Sequence, residues 1–92
     1  MRIQVISGLP VWKNEMESVL TDAGHDVTDE NPDWALVDYL DLDQVPTSRF
    51  VVVDGLPSVE ACCQAFRAGA ADYLVRPHTR EQLLAIIKAL EA

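Results

Sequence analysis

Phe50-Val51-Val52-Val53-Asp54-Gly55 is a run of four β-forming apolar residues that stops abruptly at an acid and a glycine. The run does not alternate with polar residues, so both faces of the strand it predicts are buried, as in a parallel sheet flanked by helices. Three more segments share its character. Arg2 to Ser7 carries Ile3, Val5 and Ile6 before Gly8-Leu9-Pro10 breaks it, Trp34-Ala35-Leu36-Val37 ends in Asp38, and Asp72-Tyr73-Leu74-Val75 is broken by Arg76-Pro77.

Helical spacing fills the gaps between these strands. Pro10 suits the first turn of a helix, and Trp12, Met16, Val19, Leu20 and Ala23 gather on one of its faces before Gly24 stops it. Ser58 is a natural N-cap for a helix whose face of Val59, Cys62, Cys63 and Phe66 is expected to be buried, with Gly69 ending it. Thr79-Arg80-Glu81-Gln82 has the capping-box pattern and opens a last helix that buries Leu83, Ile86, Ile87 and Leu90. Strands alternating with helices define an α/β domain with a mostly parallel sheet.

Two connections are short. Residues 25–33 leave room for one brief extended piece around Val27, and residues 39–49 for a loop with one helical turn, since Asp41, Asp43, Pro46, Thr47 and Ser48 disfavour more. A parallel crossover with its helix takes about ten to twelve residues. The expectation is therefore a sheet of four strands, or five with a short one at Val27. The face around the first and third strands would be thinly covered, as the polar Gln4 suggests, and closed by a second copy, a partner or the chain's own loops.

Composition narrows the function. The 92 residues make one domain, 1–92, of globular type, with 49% apolar and 24% charged residues. Seven basic against fifteen acidic residues give a net charge of -8, which argues against a nucleic-acid partner. Apolar stretches are too short to span a bilayer and the N-terminus lacks a secretory signal, so a cytoplasmic location is expected, with no membrane partner. Cys62 and Cys63 are neighbours that cannot easily bridge and are expected as packed thiols in a reducing compartment. No cofactor or metal spacing is present. Asp38, Asp41 and Asp43 lack the glycine and distal glutamate of a calcium loop and read as solvated charges.

Met1 to Ser7 with Pro10, Pro32-Asp33-Trp34-Ala35-Leu36-Val37-Asp38, and Ala68-Gly69-Ala70-Ala71-Asp72-Tyr73-Leu74-Val75-Arg76-Pro77 together resemble the response-regulator receiver domain of bacterial two-component signalling. The resemblance covers nearly the whole chain in order. It implies a reduced flavodoxin-like, three-layer fold with the second and third helices lost or shortened.

It also implies a phosphoacceptor pocket, with Asp38 as acceptor, but a degenerate one. The family's acidic pair for Mg²⁺ falls on Ser7 and Gly8, its Ser or Thr on Asp54, and its Lys on Arg76, while Tyr73 matches the switch aromatic. Phosphoryl transfer depends on charge neutralisation, which an added carboxylate and a missing acidic pair oppose. The expected function is thus a pseudo-receiver that signals by protein contact or self-association, without catalysis. The alternatives are a true receiver phosphorylated at Asp38 and the regulatory domain of a transcription factor. A catalytic Asp38–Asp54 pair would need one raised pKa, whereas Arg76 favours both being ionised. Arg76 is expected to contact Asp38 or Asp54. Ala61, Ala65 and Ala68, on the back of their helix, and Tyr73 form the candidate partner surface, in the region receivers commonly use for output.

Overall fold

A computed structural model describes residues 1–45 and 49–91. Pro46, Thr47 and Ser48, which the sequence places in a loop, lie outside the described residues. Five parallel strands, β1 (Arg2–Ile6), β2 (Asp26–Val27), β3 (Trp34–Asp38), β4 (Phe50–Asp54) and β5 (Tyr73–Val75), form one sheet in the order β2-β1-β3-β4-β5. The helices are α1 (Pro10–Asp22), α2 (Val59–Arg67) and α3 (Arg80–Glu91), with a 3-10 helix at Tyr39–Gln44.

Strand alternation divides the core into two layers. Ile3, Val5, Leu36, Val51, Val53 and Leu74 point to the face covered by Met16 and Leu20 of α1 and Leu83 and Ile87 of α3. Ala35, Val37, Phe50 and Val52 point to the other face, against Ala65 of α2 and Ala70, with Tyr39 and Leu42 of the 3-10 helix packed alongside. Burial of these side chains, at roughly 25 cal/mol per Å² of apolar surface, is the main favourable term.

Local signals act as the sequence requires. Pro10 starts α1, and Gly24 and Gly69 follow α1 and α2 with φ of 91° and 106°, a left-handed geometry that favours glycine. Ser58 Oγ accepts from Ala61 N at 3.0 Å. The capping box is reciprocal, Thr79 N donating to Gln82 Oε1 at 2.8 Å and Gln82 N to Thr79 Oγ1 at 3.0 Å.

Two expectations left open are decided by the structure, and two others need correction. The sheet keeps its fifth strand: Asp26 N donates to Met1 O and Thr28 N to Ile3 O, both at 3.0 Å, enough to pin a two-residue edge strand. The face over β3 needs no outside cover, because the 3-10 helix leaves Val37 fully buried; on β1, Arg2 is exposed and Gln4 and Ile6 partly so. Helix α2 is turned the other way round. Ala61 and Ala65 face the sheet, Val59 and Phe66 face outward, and of the proposed partner surface only Ala68 is exposed and Tyr73 partly so. The physical reason is steric, since alanine lets α2 sit close on Phe50 and Val52 where larger side chains would hold it off. With that rotation Cys63 is exposed rather than packed, and Cys62 is half-buried. Among the described residues, no helix is long and apolar enough to cross a membrane.

Candidate functional site

Parallel topology delivers Asp38, Asp54 and Arg76 to the same edge of the sheet, at the carboxyl ends of β3, β4 and β5, where open α/β sheets place their sites. All three are buried, at 1%, 4% and 7% exposure. Arg76 meets Asp38, not Asp54: its Nη1 donates to Asp38 Oδ2 at 2.6 Å. Its guanidinium lies over the Trp12 ring, 5.1 Å from the centroid. The Arg76–Pro77 peptide is cis.

Asp38 is held from every side. Oδ2 also accepts from Ser7 Oγ at 3.3 Å, and Oδ1 accepts from Leu40 N at 3.1 Å, so the carboxylate caps the 3-10 helix. Ser7 Oγ in turn accepts from Leu9 N at 3.1 Å, and Gly8 N donates to Asp41 Oδ2 at 2.9 Å. The two loop residues in the acidic-pair positions therefore tie the end of β1 to Asp38 and Asp41.

Asp54 has different partners. Its Oδ1 accepts from Leu56 N at 2.9 Å and its Oδ2 from the Tyr73 hydroxyl. Burial first, then the hydrogen bond to Asp54 and its negative charge, push the Tyr73 phenol well above its ordinary pKa. Tyr73 is thereby held at the pocket as a neutral donor. Gly55 follows, and a Cβ there would stand 3.0 Å from Arg76 Nη2 and 3.3 Å from Nε, so the guanidinium occupies the space a side chain would take.

The residues do not suit the Mg²⁺ site that the family resemblance implies. Ser7 and Gly8 supply no carboxylate, and Arg76 holds the Asp38 oxygen that would be left. Among the described residues, no group of three or more His, Cys, Asp or Glu could hold a metal ion.

Of the residues that the sequence assigns to a pocket, Asp38, Asp54 and Arg76 line one cavity, while Ser7 bonds to Asp38 and Gly8 to Asp41; Tyr73, assigned separately as a switch-like aromatic, bonds to Asp54. Sequence reading missed Trp12, read as part of the buried helix face, and Asp41, read as a solvated charge. The signal for Trp12 is its place in the first turn of the helix that follows the β1 loop.

The architecture is the receiver fold of response regulators, the class that the sequence resembles. A receiver domain from Methanospirillum hungatei JF-1 superposes with a TM-score of 0.83 over 98% of this chain and 93% of its own, at 21% identity. An orphan response regulator of H. pylori superposes with a TM-score of 0.78 over 100% and 97%, at 25% identity. In sequence, the alginate biosynthesis transcriptional regulatory protein AlgB of Pseudomonas syringae pv. tomato is 47% identical over 49 residues, which are 52% of this chain and 11% of that protein. The chain thus aligns with only a small part of that relative's length. No family model matches the chain.

Proposed function

We propose that this domain is a receiver-type signalling module that works by protein contact and independently of phosphorylation. The observation that carries this reading is the buried Arg76–Asp38 pair at 2.6 Å. An acceptor carboxylate must present an oxygen to phosphorus while cations neutralise the incoming charge. Here Asp38 Oδ2 is engaged by Arg76 and Ser7 and Oδ1 by Leu40 N, and Asp54 adds a second carboxylate beside it. The arrangement favours an acceptor carboxylate whose oxygens are already engaged.

Contacts with a protein partner fit the side of the domain formed by α2 and β5, where Val59, Phe66 and Val75 are large exposed apolar residues. The net charge of -8 makes nucleic acid a poor partner for this face. The match to a transcriptional regulatory protein favours a second reading, in which the module regulates an output region of a longer polypeptide. The full reading frame decides between the two.

The test is incubation with a small acyl phosphate and Mg²⁺, read by intact-mass spectrometry beside Asp38→Asn. Neither protein is expected to gain a phosphoryl group. A stoichiometric, Mg²⁺-dependent adduct on the unmodified chain that vanishes in Asp38→Asn would establish a true phosphoacceptor instead.

A further inference from the structure

A cavity of about 410 Å³ opens directly above the Asp38–Arg76 pair. Its walls are Leu9, Trp12, Leu40, Leu56 and Pro77, and Asp38, Asp54 and Arg76 also line it. Concave, mainly apolar sites of about 300–1,000 Å³ with a few convergent polar groups are the usual form of a small-molecule site. Leu40 and Leu56 are 71% and 86% exposed, so apolar surface is held at the opening without cover from the domain itself.

The charges beneath it are unequal. Asp38 is neutralised by Arg76, whereas Asp54 accepts only from two neutral donors, Leu56 N and the Tyr73 hydroxyl, and makes no ion pair among the described residues. A carboxylate with so little solvent contact and no ion-pair partner among the described residues attracts a cation that can reach it. The three charged groups sum to one negative charge, and the chain carries -8 overall, so an anion is disfavoured at this opening.

We propose that the cavity over the Asp38–Arg76 pair is a binding site for a small organic cation with a flat apolar body, its charged end facing Asp54. The body lies among Trp12, Leu40, Leu56 and Pro77. This goes beyond the signalling reading and does not depend on it, because occupancy is measured without any phosphodonor.

The probe is benzamidinium, compared with neutral benzamide and anionic benzoate, by calorimetry and by the Trp12 indole N–H resonance. Benzamidinium is expected to saturate and to bind about tenfold or more tighter than either analogue, a difference of about 1.4 kcal/mol. Asp54→Asn keeps an acceptor for Tyr73 and should bring benzamidinium down to the affinity of benzamide. Leu56→Lys alters an exposed residue, so the fold is safe, and its own ammonium should weaken benzamidinium about fivefold by competing at the opening. Equal binding of benzamide, preference for benzoate, no saturable binding up to about 10 mM (a free energy near 2.7 kcal/mol), or an unaltered affinity in Leu56→Lys would each overturn the proposal.

Discussion

Arg76, the residue after β5, reaches across the end of β4 to set its Nη1 2.6 Å from Asp38 Oδ2 at the end of β3. The pair thus fastens strands that are not neighbours in the sheet. Both groups are desolvated, and a buried pair need not be more stable than an apolar substitute, but losing one partner is costly. Arg76→Met would leave Asp38 charged and unpaired in the interior. Urea unfolding should show a loss of about 3–5 kcal/mol. Arg76→Met combined with Asp38→Asn removes the orphaned charge and should recover more than half of that loss. A double variant as unstable as Arg76→Met alone would assign the cost to lost packing on Trp12.

Tyr73 links stability to alkaline pH. Burial and Asp54 raise its phenol pKa in the folded state, so the fold favours the neutral form. That contribution is complete below the unfolded value of about 10 and is lost as pH rises from there toward the folded value. Tyr73→Phe removes a donor from a carboxylate and should cost about 1.5–3 kcal/mol at neutral pH. The variant should also lack this component of alkaline destabilisation. Unfolding free energies measured across the alkaline range, with tyrosinate absorbance, check both points. Parallel pH dependence in the two proteins would show that Tyr73 does not contribute.

The sequence makes the strands legible because continuous runs such as Phe50 to Val53 and Trp34 to Val37 have few other ways to bury both faces. Helix ends were equally open to reading, through Ser58, Thr79 with Gln82, Gly24 and Gly69. A contact of Arg76 with Asp38 or Asp54 follows from the strand ends, but which carboxylate takes it does not, and the structure gives it to Asp38. Periodicity could not say which side of α2 would face the sheet. Val59, Cys62, Cys63 and Phe66 make the more apolar stripe, but Ala61 and Ala65 are the buried ones, Ala65 packing with Phe50 and Val52, a tertiary constraint. Trp12 and Asp41 were obscured for the same reason. Their roles come from Arg76 and Gly8, residues distant in sequence.

Gly55 offers a separate test of how firmly Arg76 is held. A methyl group there would sit 3.0 Å from Arg76 Nη2, and the guanidinium can yield to it only by giving up part of its contacts with Asp38 and Trp12. Gly55→Ala should cost about 1–3 kcal/mol as an overpacking change. It should also shift the Trp12 indole resonance, because the ring packs against the displaced group. Unchanged stability together with an unchanged resonance would mean that Arg76 moves aside freely.

The orientation of α2 can be tested by exchanging alanines for larger residues. Ala65 is fully buried against the sheet, so Ala65→Leu must push the helix away from Val52 or distort its own rotamer. A loss of about 1–3 kcal/mol is expected. Ala68 is exposed at the C-terminal end of the same helix, and Ala68→Leu should change stability by no more than about 0.5 kcal/mol. Val59→Lys should be equally mild, since that side chain faces solvent at the first helical position. Had the more apolar stripe been inward, the ranking would reverse: Val59→Lys would bury a charge at severe cost and Ala65→Leu would be nearly silent. Chemical denaturation of the three variants therefore separates the two orientations by the order of their midpoints. It also decides which residues are available to a partner, because Val59 and Phe66 can form part of a contact surface only if Ala61 and Ala65 are the residues turned inward.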